Sequence, residues 1–113
     1  MQEKKITMTP ELLVPLSDFF KLLSEPVRLQ VLSSVCQEGQ GTVGELATRL
    51  GLCQSVASRH IKMLFEGGLL EKKMEGARCV YGMADDTLCR LCTLALEKLR
   101  SKANRLSSLV DPS

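Results

Sequence analysis

Residues 42–67, TVGELATRLGLCQSVASRHIKMLFEG, contain two helical patterns separated only by Gly51, Leu52 and Cys53. The first can be capped by Thr42, with Glu45 three residues on completing a capping box, and it turns Leu46, Ala47 and Leu50 to one face. Gly51 ends it, and a second stripe of Val56, Ala57, Ile61 and Leu64 follows within a turn. Two helices joined by so tight a glycine turn form the helix-turn-helix pattern, and the rest of the chain has to pack around that unit.

Upstream, Leu12, Leu13, Leu16, Phe19, Phe20 and Leu23 recur at helical spacing after Thr9 and Pro10, with Pro15 as a kink or as the true first turn. A further stripe, Val27, Leu29, Val31, Leu32 and Val35, is expected to be capped by Ser24 and stopped at Gly39. After Gly67 and Gly68 the period drops to about 2, so residues 69–74 and 78–83 read as a hairpin turning around Glu75, Gly76 and Ala77. Asp85 or Asp86 then starts a last helix whose stripe is Leu88, Leu91, Cys92, Ala95, Leu99, Ala103 and Leu106. The expected fold is mainly α with a small β-hairpin, in one domain over residues 10–108 between flexible ends at 1–9 and 109–113. The last helix carries more apolar face than a domain this small can cover, which predicts a homodimer seam shared with the first helix.

A chain of 113 residues without Trp, and with one Tyr and three Phe, has an aliphatic, helical core and little room for a large enzyme cleft. No segment approaches the run of about 20 apolar residues that spans a bilayer. The start, MQEKKITMTP, has no apolar stretch after its lysines, so a cytoplasmic protein with no membrane partner is expected. Its five cysteines form an odd set for a disulfide framework and are expected to start as thiols, open to metal or redox chemistry. No obligatory cofactor is implied. The net charge of +2 is too small to indicate a nucleic-acid partner, but Lys72, Lys73 and Arg78 cluster, with Arg59 and Lys62 just upstream.

At about 100° per residue, Gln54, Ser55, Ser58, Arg59 and Lys62 share one arc of the second helix of the pair, opposite its apolar stripe. Gln and Arg can make bidentate contacts to base edges, Ser and Lys can hold phosphates, and no acid lies on the arc. This combination favours DNA reading over a merely solvated face. His60 falls toward the apolar side, where it is either packed or a phosphate contact.

The stretch LSEPVRLQVL, followed by TVGELATRLGLCQSVASRHIKMLFEGGLLEKKMEGARCVYGM, resembles the ArsR/SmtB family of bacterial metalloregulatory repressors over about Phe19 to Leu99. SEPVRLQVL stands where that family has DPTRLxIL, and CQSVASRHIKML stands where it has SQSTVSRHLKxL. The resemblance implies a winged helix-turn-helix homodimer that binds operator DNA and releases it when a metal, metalloid or oxidant reaches its sensing site. It also implies that Gln54, Ser55, Ser58, Arg59 and His60 belong to the recognition helix and that Arg78 lies in the wing. Two of the family's inducer sites are missing: Thr42 and Gly44 replace the thiols of its ELCVCDL motif, and the last helix has no His for a zinc site.

The remaining sensor candidates are Cys89 and Cys92, one turn apart in CRLC, which could share a soft ion if a third ligand joined them. Cys36 and Cys79 are expected to pack, although either could complete such a site. Cys53 stands at the start of the recognition helix, where the family usually has Ser. A helix N-terminus stabilises a thiolate there, so Cys53 is a further candidate. The expected function is a repressor released by a thiolate-bound metal or metalloid such as As(III) or Cd(II). The alternative is a redox-sensing repressor with a disulfide or persulfide switch, and a small CxxC thiol-disulfide enzyme is a remote third.

Overall fold

In the computed structural model, which describes residues 7–110 and side-chain burial as far as residue 105, the element order is α1 (Pro10–Leu23), α2 (Pro26–Glu38), α3 (Val43–Leu50), α4 (Gln54–Glu66), β1 (Leu70–Glu75), β2 (Arg78–Met83) and α5 (Thr87–Val110). The outermost parts of both expected flexible ends lie outside the described residues. The chain divides after Met83 into two compact units.

In the first unit, α2, α3 and α4 enclose a core of Val31, Leu32, Val35, Leu46, Ala47, Ala57, Ile61 and Leu64, and Val80 of β2 is buried as well. The hairpin is antiparallel, with Leu70 opposite Met83, Lys72 opposite Tyr81 and Glu75 opposite Arg78 across the Gly76–Ala77 turn. Gly76 takes φ +64°, a left-handed conformation that a Cβ disfavours. A third extended residue, Gly41, adds to the far edge of β2, exchanging backbone hydrogen bonds with Tyr81 at 3.0 and 2.8 Å.

Most expected helix ends hold. The capping box of α3 is complete: Thr42 Oγ1 accepts from the Glu45 amide at 3.1 Å, and Glu45 Oε1 accepts from the Thr42 amide at 3.0 Å. Gly51, at φ +67°, ends α3 in the left-handed conformation. Helix α1 starts at Pro10, so Pro15 lies inside it and does not define its first turn.

Three expectations are corrected. Ser24 closes α1, where its hydroxyl donates to the Lys21 carbonyl, and Glu25 caps α2 by accepting from the Arg28 amide at 3.1 Å. Periodicity cannot choose between adjacent polar residues when either reaches a free amide. Leu29 is exposed, while Ser34 takes a buried place on α2. Cys36 is also exposed, not packed in the core.

The second unit's α5 runs for 24 residues with Leu94, Leu96 and Leu99 exposed. Thr87 starts it, its amide donating to Asp85 Oδ1 at 2.9 Å. The side chain of Leu106, the last member of the expected stripe, lies outside the described side chains.

Candidate nucleic-acid interface

The recognition-helix candidates separate cleanly by burial. Gln54, Ser55, Ser58, Arg59 and Lys62 are all exposed, while Ala57, His60, Ile61 and Leu64 are buried. This split follows from the helical period: the apolar stripe locks α4 onto α2 and α3, which leaves the polar arc facing outward. The structure therefore brings five of the six α4 candidates onto one surface.

His60 is not on that surface. It is only 7% exposed, and its Nδ1 faces Oε2 of Glu25 at 3.8 Å without a hydrogen bond. Of the two alternatives left open by its position, the structure selects packing against the start of α2. A second correction concerns Lys62, which lies 3.9 Å from Glu66 one turn on. At about 100° per residue Glu66 falls on the same arc, so the arc ends in an acid beside its last cation. Both side chains are well exposed, so this pair contributes little and does not immobilise Lys62.

The hairpin's cations are held to different degrees. The Lys72 ammonium sits 4.7 Å above the Phe65 ring at the end of α4, and Phe65 meets Tyr81 edge to face at 6.2 Å between centroids. Arg78 pairs through Nη2 with Glu45 Oε1, the oxygen that also closes the α3 capping box. Hydrogen bonds from Thr42, first its backbone and then its side chain, and from Arg78 hold the Glu45 carboxyl below its usual range. Lys72, Lys73 and Arg78 all remain exposed. The ties to Phe65 and Glu45 were not anticipated. The alternation of β1 and β2 places Lys72 on the Tyr81 row, but only the folded chain brings Phe65 and Glu45 to meet them.

The α2–α3 loop beside this surface is pinned by Arg49, which donates to the carbonyls of Gly39 at 2.7 Å and Gln40 at 3.1 Å. Gly41 lies close by, where an added Cβ would come into ordinary contact with Arg49 Nη2 at 3.4 Å.

The cysteines divide into two groups. Cys53, Cys79 and Cys92 are free thiols, whereas Cys36 and Cys89 are each disulfide-bonded. Cys89 and Cys92, neighbours on α5, are therefore in different chemical states. Among the described residues, no three of His, Cys, Asp and Glu cluster as metal ligands. Cys53 occupies the N-cap of α4 without capping it by a side-chain hydrogen bond; its Sγ lies 3.4 Å from Ser55 Oγ. The Ser55 hydroxyl beside the sulfur and, after it, the nearby backbone of Val56 favour the thiolate and lower its pKa from the ordinary 9.0. The thiolate thus forms more readily here, although it is a weak substitute for a capping hydroxyl.

The family model for bacterial regulatory proteins of the arsR family matches residues 25–72, from the cap of α2 into β1. The arsenical resistance operon repressor of Bacillus subtilis (strain 168) is 32% identical over 76 residues, covering 67% of this chain and 72% of its own length. The biofilm growth-associated repressor of Agrobacterium fabrum (strain C58) is 32% identical over 71 residues, which cover 63% of this chain but only 60% of that relative. In three dimensions, the homodimeric winged helix-turn-helix DNA-binding domain of Mb0332 from Mycobacterium bovis superposes with a TM-score of 0.73 at 28% identity, covering 88% of this chain and 91% of that one. No helix among the described residues is long and apolar enough to cross a membrane. On these similarities in sequence and in fold, this chain belongs to the arsR family and is a DNA-binding transcriptional repressor, not an enzyme.

Proposed function

We propose that the chain binds operator DNA as a homodimer, with α4 in the major groove and the hairpin as a wing on the neighbouring backbone. The carrying observation is the exposed arc of Gln54, Ser55, Ser58, Arg59 and Lys62, opposite which Ala57, His60, Ile61 and Leu64 are buried. Gln54 and Arg59 are assigned to base edges, and Ser55, Ser58 and Lys62 to phosphates, together with Lys72, Lys73 and Arg78 of the wing. Exposed Leu12, Leu13, Val14 and Phe20 on α1, and Leu94, Leu96 and Leu99 on α5, support pairing through those helices. A salt-dependent mobility-shift titration on the DNA upstream of the protein's own gene tests this reading. Operator binding should weaken steeply with salt, and Arg59→Ala should remove the sequence-specific part. Specific binding unchanged in Arg59→Ala would refute the assignment of the reading face.

The trigger is assigned to the cysteines. Similarity to an arsenical resistance repressor supports release by a thiophilic metal or metalloid, for which Cys53, Cys79 and Cys92 are available as thiols and a partner copy can supply further ligands. A second reading, oxidation, is favoured by the bonded state of Cys36 and Cys89. In that chemistry two thiols give two electrons and two protons to a peroxide, which leaves as two waters while one disulfide forms. Titrating the reduced protein–DNA complex with As(III), Cd(II), Zn(II) and hydrogen peroxide, then repeating on each Cys→Ser variant, separates the two. Release by As(III) or Cd(II) under strong reductant excludes the oxidative trigger, and release by peroxide alone excludes the metal. Non-reducing peptide mapping identifies the thiols joined.

A further inference from the structure

One oxygen, Oε1 of Glu45, accepts the Thr42 amide at the start of α3 and also the guanidinium of Arg78, 33 residues away at the start of β2. The carboxylate is thus shared between the first turn of the helix-turn-helix and the first residue after the hairpin turn. We propose that Glu45 is a positioning residue for the wing, holding the Arg78 guanidinium where it meets a DNA phosphate; the proposal rests on the operator-binding reading above.

Three features carry it. The hairpin is anchored near its base by the Gly41–Tyr81 bridge and by Lys72 over Phe65. Next to the turn, Glu45 provides the tie. Arg78 presents five N–H donors in a rigid fork and gives Glu45 one contact through Nη2, so donors remain for a second anion. Its side chain keeps 57% of its surface exposed, consistent with a group fixed in place yet open to a ligand. Finally, the Glu45 charge lies in the first turn of α3, where the helix N-terminus stabilises an anion and so keeps the carboxylate ionised beside Arg78. An unrestrained arginine would have to lose its rotamer freedom on binding, and Glu45 removes part of that cost beforehand.

Glu45→Gln tests this, because the amide oxygen can still accept the Thr42 backbone while the charge that holds Arg78 is gone. In shift titrations on operator DNA across a salt series, Glu45→Gln should weaken binding roughly tenfold, the scale of one charged hydrogen bond. The salt slope should fall by about 1, as is also expected for Arg78→Gln. In an Arg78→Gln background, Glu45→Gln should change neither quantity. Equal losses in both backgrounds, or tighter binding by Glu45→Gln, would overturn the proposal. In the free protein, backbone 15N relaxation at residues 76–79 should report a more mobile turn in Glu45→Gln, and an unchanged turn would also overturn it. Failure of the wild-type protein to bind any operator would instead refute the operator reading, with the relaxation measurement still deciding whether Glu45 restrains the wing.

Discussion

His60, midway along α4, places Nδ1 3.8 Å from Oε2 of Glu25, the carboxylate that caps α2. The helix that presents the polar arc is thus seated, through a buried imidazole, on the first turn of its neighbour. Glu25→Ala removes both the cap and the group facing His60. It should cost about 1 kcal/mol, or roughly 4–8 °C in the thermal midpoint followed by circular dichroism. Glu25→Gln keeps an oxygen for the Arg28 amide and should lose less; equal losses would assign the effect to something other than the cap.

The two wing lysines should behave differently. Lys72 rests over Phe65, so Lys72→Ala should lower stability by about 0.5–1 kcal/mol as well as weaken operator binding. Lys73→Ala should leave the unfolding midpoint nearly unchanged while reducing the salt slope of binding by about 1. Urea unfolding beside a salt-series titration reads both, and matching profiles for the two variants would contradict the assigned contacts.

Gly51 joins α3 to α4 at φ +67°, with nothing within 4 Å of an added Cβ. Gly51→Ala therefore isolates the backbone cost of the left-handed conformation and should destabilise by roughly 1–2 kcal/mol. A neutral result in chemical unfolding would mean that the turn relaxes to another conformation.

At Cys53 the ordinary pKa of 9.0 is lowered, first by the Ser55 hydroxyl and then by the Val56 amide. Among the free thiols it should be alkylated by iodoacetamide at half-maximal rate below pH 9.0, and Ser55→Ala should shift that midpoint upward. Cys53→Ser should restore a capping hydroxyl and raise the thermal midpoint. It should leave induction intact if the thiol only fills the cap; loss of induction would identify Cys53 as a sensor.

Glu45 has its carboxyl pKa depressed by Thr42 and Arg78, so its contribution to stability is complete above the ordinary value of 4.5 and declines as pH falls through the lower folded value. The difference in unfolding midpoint between wild type and Glu45→Gln should therefore hold from neutral pH down to about 4.5 and narrow below it. A difference that persists undiminished well below that range would mean that the carboxylate's charge is not what stabilises the fold.

Several parts of this protein were legible in its residues because they depend on local rules. A hydroxyl followed by Glu at three residues makes the Thr42–Glu45 capping box, a glycine after an apolar stripe ends α3, and a change of period from 3.6 to 2 marks the hairpin. The same rule of angle per residue separated the arc of Gln54, Ser55, Ser58, Arg59 and Lys62 from the buried side of α4. Contacts between residues distant in sequence carry no such period. Only the tertiary structure could seat His60 against Glu25, lay Lys72 over Phe65 and bring Arg78 to the oxygen that caps α3, since each depends on how separate elements approach. Local chemistry determined the elements and their exposed faces, and packing between elements decided which exposed cations are held.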